Sequence, residues 1–338
     1  MNSTISAWQL SPTAPQGLEL VTRPRPVAGP GEAIVRLRAA SLNYRDIMAR
    51  RGDYGARNPV IPVADGVGEI VELGAGATPH RVGDRVATTY FPGWIEGEPT
   101  PEKTTASFGA GSQDGVLADY FVAPAAALVP VPAHLTDPEA AALSCAGVTA
   151  WNALFVSGRL RPGDSVLLLG TGGVSLFALQ FAKLAGARVI ITSSDDAKLQ
   201  RAREFGADET INYRTNPDWP KAVLALTEGR GVDLAADTGG GSVLNQVVAC
   251  TRLGGTIGLI GVLGGFEAPV STVQMLLRNI HLEGIFVGSA AMFATMNRAV
   301  ALHQLRPVID RVFPFADAPA AYAYLESGKH FGKIAIER

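Results

Sequence analysis

A run of four apolar residues ending in a glycine-rich turn constrains this chain more than any other feature. The stretch is Val166-Leu-Leu-Leu-Gly170-Thr-Gly172-Gly173-Val174-Ser175, and an amphipathic segment comes directly after it. There Phe177, Phe181 and Leu184 fall on one helical face, the face that must cover a sheet. The pattern predicts a strand, a tight turn and a helix. Gly170 permits the turn, and Gly172 has no side chain to obstruct a pyrophosphate. The helix start at Gly173 and Val174 then offers free N–H groups and the positive end of the helix dipole to phosphates. The third glycine of the dinucleotide fingerprint is Ser175, which is small enough to preserve close helix–strand packing.

More strand–helix units come after it. Apolar runs at Arg188–Thr192, Glu209–Asn212, Val232–Ala236 and Thr256–Ile260 alternate with helical segments, one of which opens near Asp195. That alternation argues for parallel pairing in a doubly wound sheet. The first 120 residues differ, being rich in turns, with short strands expected at Ala33–Leu37, Gly66–Leu73 and Arg85–Thr89. Phe91 to Gly115 reads as one long loop, and Thr136-Asp137-Pro138-Glu139 as a helix start. The tail returns to strands at Arg311–Phe313 and Lys333–Ile336, and is expected to fold back onto the N-terminal part.

Composition removes several classes of function. The 338 residues carry a net charge of −2 with no block of like charges, so nucleic-acid binding and a basic membrane-surface role lack an electrostatic basis. No stretch of about 18 residues stays apolar and no signal-peptide pattern opens the chain. The only cysteines, Cys145 and Cys250, form no pair motif. A reducing cytoplasmic setting is therefore expected. The five histidines (80, 134, 281, 303 and 330) show no ligand spacing and read as surface or capping residues.

Taken together, these motifs resemble the medium-chain dehydrogenase/reductase superfamily over essentially the full length. The likeness is carried by Asn43-Tyr-Arg-Asp46, Gly66-Val-Gly-Glu69, Val82-Gly-Asp-Arg-Val86 and Cys145-Ala-Gly-Val-Thr-Ala-Trp151. It continues through Gly170–Ser175, Phe205-Gly-Ala-Asp208 and Phe331-Gly-Lys333. The resemblance implies an α/β fold in two parts. One is a GroES-like β-rich catalytic domain over 1–122 and 308–338, the other a Rossmann domain over 123–307. It also implies a homodimer joined edge to edge near His281–Phe286.

Zinc-dependent members of that family carry a cysteine, a His-Glu pair and a second cysteine as landmarks of the catalytic site. The matching positions here hold Asn43, Ala64, Asp65 and Cys145, and the structural-zinc cysteines are missing from 90–115. One thiol and one carboxylate fall short of the three ligands a catalytic zinc needs, so no metal is expected. Cys145 then reads as a buried small hydrophobe. Without a metal to polarise an alcohol oxygen, hydride transfer is easier to an activated acceptor such as a quinone or a C=C bond conjugated to a carbonyl. By resemblance to zinc-free enoyl and quinone reductases, Tyr54 is the candidate proton donor and Asn43 a polar group near the nicotinamide. Tyr44 is the alternative acid. Asp46 is expected to orient backbone and neighbours. Phe91, Trp94 and Trp151 are either walls of the acceptor pocket or ordinary core.

An acid at the end of the second strand would favour NAD, but that position holds Ser193, with Ser194 next to it. With Lys198 one helical turn on, and Tyr213 after the third strand, the resemblance implies a site for the 2′-phosphate of NADPH. Asp195 and Asp196 complicate this, unless they serve the helix N-terminus and point away. The resemblance adds Thr149, Gly261, Val262, Val287 and Lys333 to the cofactor contacts. Two other functions stay open: a metal-free alcohol dehydrogenase-like carbonyl reductase, and a cofactor-binding protein without catalysis, such as a crystallin or a sensor.

Overall fold

The computed structural model describes residues 3–53, 59–111 and 113–338. The chain divides into two units, Met1–Val148 with Gly288–Arg338, and Thr149–Val287. The expected boundaries lay at 122/123 and 307/308. Packing accounts for the difference. The helix Asp137–Ala141 lies on the strands Glu32–Leu42 and Asp65–Leu73, and the helix Ala290–Leu302 lies against Leu128–Pro130. The Asn297 side-chain amide donates to the Pro130 carbonyl at 2.9 Å. Both helices therefore fold with the first unit.

The first unit is built on a sheet ordered Ile309–Pro314, Lys333–Glu337, Glu32–Leu42, Asp65–Leu73, Arg85–Thr88, Leu128–Pro130, with Tyr120–Pro124 also paired to Glu32–Leu42. The tail does fold back: Lys333–Glu337 pairs antiparallel with Glu32–Leu42, with Ile334 opposite Leu42. Ile34, Val35, Val67, Ile70 and Val86 are fully buried in its core. The stretch 91–115 holds more structure than a loop. It contains the short helix Pro101–Thr104, and the Lys103 ammonium donates to the Glu96 and Glu98 carbonyls at 2.8 Å each. The Trp94 and Ile95 carbonyls accept the N–H groups of Ala290 and Ala291. Phe91 and Trp94 are 2% and 3% exposed, which makes them core. His80 is also buried, its Nε2 within 3.0 Å of the Ala125 and Leu128 carbonyls, so the surface reading fails for that histidine.

The second unit is a six-stranded sheet in which every pairing is parallel, ordered Glu209–Asn212, Arg188–Ser193, Ser165–Leu169, Val232–Asp237, Thr251–Leu259, His281–Gly284. The order in which strands are added reverses between Ser165–Leu169 and Val232–Asp237, so the crevice of a doubly wound sheet lies beyond their carboxyl ends. The helix Gly173–Leu184 covers one face through Phe177 and Phe181, and Trp151 packs edge-on against Phe181 at 5.5 Å. Leu184 does not share that burial. It is the last residue of the helix and is 44% exposed. Among the described residues no helix is long and apolar enough to cross a membrane.

Candidate active site

In the second unit, the loop after Ser165–Leu169 forms a cradle. Gly170 has φ +73°, a left-handed conformation that disfavours any side chain. Gly172 has no such need. Its backbone is extended, and a Cβ there would meet no protein atom within 4 Å. Glycine at 172 therefore leaves room in front of the helix Gly173–Leu184, whose first turn has no side-chain cap. Free N–H groups, a dipole end and open space are what a pyrophosphate needs. Ser175, the departure from the fingerprint, turns its hydroxyl inward to donate to the Leu169 carbonyl at 2.7 Å, tying helix to strand.

Of the remaining predicted cofactor residues of this unit, Ser193, Ser194, Tyr213, Gly261 and Val262 lie at the carboxyl ends of the same parallel strands. Ser193 and Ser194 close the strand Arg188–Ser193, and Tyr213 comes after Asn212, whose strand partner is Ser193. The Tyr213 N–H donates to the Ser193 carbonyl at 3.1 Å, and its ring is 42% exposed. Asp195 caps the helix Asp196–Glu204, accepting from the N–H groups of Ala197 and Lys198. The Asp196 carboxylate accepts from the Asn212 side chain at 2.8 Å. Both acids thus have partners within the protein, and Lys198 is half-buried on that helix. Gly261 and Val262 lie just past the strand Thr251–Leu259, and Val287 accepts a 2.8 Å bond from the Asn152 amide at φ +59°. Thr149 is buried at the start of the unit.

Sequence reasoning missed two neighbours at this edge. Asp237, fully buried at the end of Val232–Asp237, accepts the N–H groups of Gly239 and Gly240 on Oδ1, while Oδ2 has no partner. Burial raises its pKa. The Thr238 hydroxyl donates to the Leu169 carbonyl at 2.7 Å, beside Ser175. The run Asp237-Thr-Gly-Gly-Gly241 was the available signal.

In the first unit, polar groups converge on Asn43. The Asn43 amide nitrogen donates to Asp65 Oδ2 at 2.8 Å, and its Oδ1 accepts from Lys333 Nζ at 2.6 Å. The same ammonium donates to the Leu42 carbonyl at 2.7 Å and stands 3.7 Å from Asp65 Oδ2. Sheet register explains the meeting. Asn43 directly succeeds the strand Glu32–Leu42, and the two strands flanking that end begin with Asp65 and with Lys333. Asp65 is 0% and Lys333 3% exposed. Burial pushes the Asp65 pKa up to about 6, against the opposing pull of the Lys333 charge and the Asn43 bond. Asp46, also fully buried, accepts the Asn43 backbone N–H at 2.8 Å and the Arg45 guanidinium at 3.1 Å, an orienting arrangement. Tyr44 opens the helix Tyr44–Arg51 and is 41% exposed. Tyr54 lies outside the described residues.

Two family models match this chain, an alcohol dehydrogenase GroES-like domain over residues 29–133 and a zinc-binding dehydrogenase over 173–302. A zinc-type alcohol dehydrogenase-like protein of Schizosaccharomyces pombe is 43% identical over 91% of either chain. The chain belongs to the medium-chain dehydrogenase/reductase superfamily. Among solved structures, an NAD-dependent alcohol dehydrogenase aligns at TM-score 0.90 and 34% identity, covering 98% of this chain and 99% of the other. A mycobacterial quinone oxidoreductase aligns at 0.83 and 26%, covering 99% and 100%. Membership makes the chain an NAD(P)-dependent oxidoreductase. The open cradle before Gly173 fits the nicotinamide dinucleotide the superfamily uses.

A superfamily member raises the question of zinc, and here the residues do not fit it. Ala64 supplies no ligand atom, and Asn43 and Asp65 are bonded to each other and to Lys333. A buried ammonium 3.7 Å from the carboxylate occupies the electrostatic role a cation would take. Cys145 is half-buried, not fully buried as expected. Desolvation of its thiol still raises the pKa well above the ordinary value, with the nearby Asp65 charge adding to the rise, so the thiolate form is disfavoured. Among the described residues no three His, Cys, Asp or Glu side chains are arranged to hold a metal ion.

Proposed function

We propose that this chain is a zinc-independent, NADPH-dependent reductase of a small conjugated acceptor, a quinone or an α,β-unsaturated carbonyl. The observation that carries the reading is that Asn43 and Asp65, which stand at two of the positions matched to the zinc-site residues of metal-dependent relatives, are bonded to each other and backed by the buried Lys333 ammonium. A metal-free site reduces most readily an acceptor whose own conjugation spreads the incoming charge.

A nicotinamide dinucleotide, its pyrophosphate held by the loop Gly170–Gly173, would supply a hydride, a proton with two electrons, to the conjugated acceptor. The chain's own residues handle the charge and the second proton. The displaced electron pair moves to the acceptor's oxygen, where hydrogen-bond donors lower its energy, and one proton completes the product. Tyr54 is the proposed source of that proton for a C=C substrate, with Tyr44 or water as substitutes. A quinol anion is stable enough to take its proton from water.

Ser193 supports NADPH over NADH. A 2′-phosphate near it meets hydroxyls and Lys198 instead of a carboxylate, since Asp195 and Asp196 are engaged with the helix N-terminus and Asn212. The NAD-dependent relative makes NADH the competing cofactor. Relatives described as alcohol dehydrogenases favour a second reading, carbonyl reduction without metal. Cofactor consumption across a panel of quinones, enones and aldehydes separates the two. Turnover confined to aldehydes and ketones would sink the conjugated-acceptor reading.

The proposed assembly is a homodimer. The strand His281–Gly284 is a sheet edge with every residue exposed, and Phe286 just beyond it is 54% exposed. An edge of that kind is completed by pairing with a second copy. The proposed setting is the cytoplasm, on the strength of two cysteines that form no pair motif.

A further inference from the structure

Asn43 is held in one orientation by chemistry alone. A lysine ammonium has only donors and an ionised carboxylate only acceptors, so the atom 2.6 Å from Lys333 Nζ must be the amide oxygen. The atom 2.8 Å from Asp65 Oδ2 must then be the amide nitrogen. That nitrogen carries two hydrogens. One goes to Asp65, and no described residue takes the other. Asn43 is half-exposed, whereas both groups that hold it are buried. The ammonium withdraws electron density through the amide oxygen, which makes the remaining N–H a stronger donor.

We infer that Asn43 is the hydrogen-bond donor to the acceptor's carbonyl oxygen, and that Lys333 and Asp65 are the positioning pair that orients and polarises it. The inference rests on the reading of the chain as a reductase of a carbonyl-bearing acceptor. It gives the oxygen a fixed, charge-backed partner at the position where metal-dependent relatives have a cation. It also gives Lys333 a different role from direct cofactor contact. Its ammonium makes bonds to Leu42 and Asn43 at 2.7 and 2.6 Å and lies next to a buried carboxylate. Burying the pair is costly, so a cluster at the ends of three neighbouring strands that commits a lysine and an aspartate to one asparagine is built for that asparagine's orientation.

Two variants and two measurements test this. Asn43→Ala removes the donor. Lys333→Met combined with Asp65→Asn removes both buried charges together, which avoids stranding one of them, and leaves an acceptor oxygen at 65. Turnover of 2-cyclohexenone and cofactor affinity are measured separately. Loss of Asn43 should lower kcat roughly 10²–10³-fold, the usual effect of removing one oxyanion donor. The double variant should lower kcat roughly tenfold or more. Cofactor affinity should hold in both. Unchanged kcat in Asn43→Ala overturns the inference. So does a double variant that keeps kcat and loses cofactor affinity, which would return Lys333 to the cofactor.

The second measurement needs no substrate. With asparagine labelled in 15N, the Asn43 side-chain signal, assigned by its absence in Asn43→Ala, should show one slowly and one rapidly exchanging hydrogen. Both should exchange rapidly in the double variant. Equal exchange in the two proteins overturns the positioning pair. A wild type that reduces no quinone, enone or aldehyde defeats the functional reading alone, and the exchange pattern still decides whether the pair holds Asn43.

Discussion

Gly172→Val should weaken the cofactor while sparing the fold, and Gly170→Ala should do the reverse. At 172 the backbone is extended, which valine tolerates, and a Cβ meets no protein atom within 4 Å. No native contact is lost, so the cost to stability is at most about 1 kcal/mol from a poorer helix cap. The same side chain fills the space in front of the first turn of Gly173–Leu184. Losing one charge-assisted bond to a phosphate, together with part of the dipole interaction, costs about 2–4 kcal/mol, or roughly 30- to 1000-fold in affinity. Gly170 sits at φ +73°, where an alanine costs about 1–2 kcal/mol of strain without entering any protein neighbour. Cofactor binding by titration of nicotinamide fluorescence and stability by thermal unfolding distinguish the two. Valine at 172 with wild-type affinity would refute the cradle, whatever happens at 170.

The proposed function sets three other expectations. Ser193→Asp should move preference from NADPH toward NADH, by repelling the 2′-phosphate and accepting from a free ribose diol; a wild type that already prefers NADH would show that Ser193 does not make the choice. Tyr54→Phe should slow enone turnover by about 10²–10⁴-fold and leave quinone turnover nearly intact, and an equal small loss on both would pass the proton to Tyr44 or water. Leu282→Arg, placed on the exposed edge strand, should yield a monomer by sedimentation from a dimeric parent. A monomeric parent would remove the proposed assembly.

Local pattern carried much of this fold and almost none of the first unit's polar cluster. The strand through Val166–Leu169 and the helix opening at Gly173 were legible because an apolar run, two glycines and a helical stripe agree with one another. The capping box at Thr136 and Glu139 was equally plain: the Glu139 carboxylate accepts the Thr136 backbone N–H, and the Thr136 hydroxyl accepts the Glu139 backbone N–H. Which sheet that helix would lie on was not. Its partners, Glu32–Leu42 and Asp65–Leu73, come from the distant N-terminal stretch, so the unit boundary moved. The meeting of Lys333 with Asn43 is hidden for the same reason. They are 290 positions apart, joined only by the antiparallel register that sets Ile334 opposite Leu42. Phe91 and Trp94 left two readings open, pocket wall or core, because aromatic residues in an unpatterned stretch fit either; both are buried, in a stretch whose Trp94 and Ile95 carbonyls are tied to the start of the helix Ala290–Leu302.

The most direct test of the account is elemental analysis of the purified protein, paired with cofactor-linked reduction of an enone and a quinone before and after exhaustive chelation. Asn43, Ala64 and the Lys333–Asp65 pair do not fit zinc, and among the described residues no three His, Cys, Asp or Glu side chains are arranged to hold a metal ion. Well under one zinc per chain, and the same turnover on both acceptors after the chelator, are therefore expected. One tightly held zinc per chain, with turnover lost on its removal and restored on its return, would contradict that expectation.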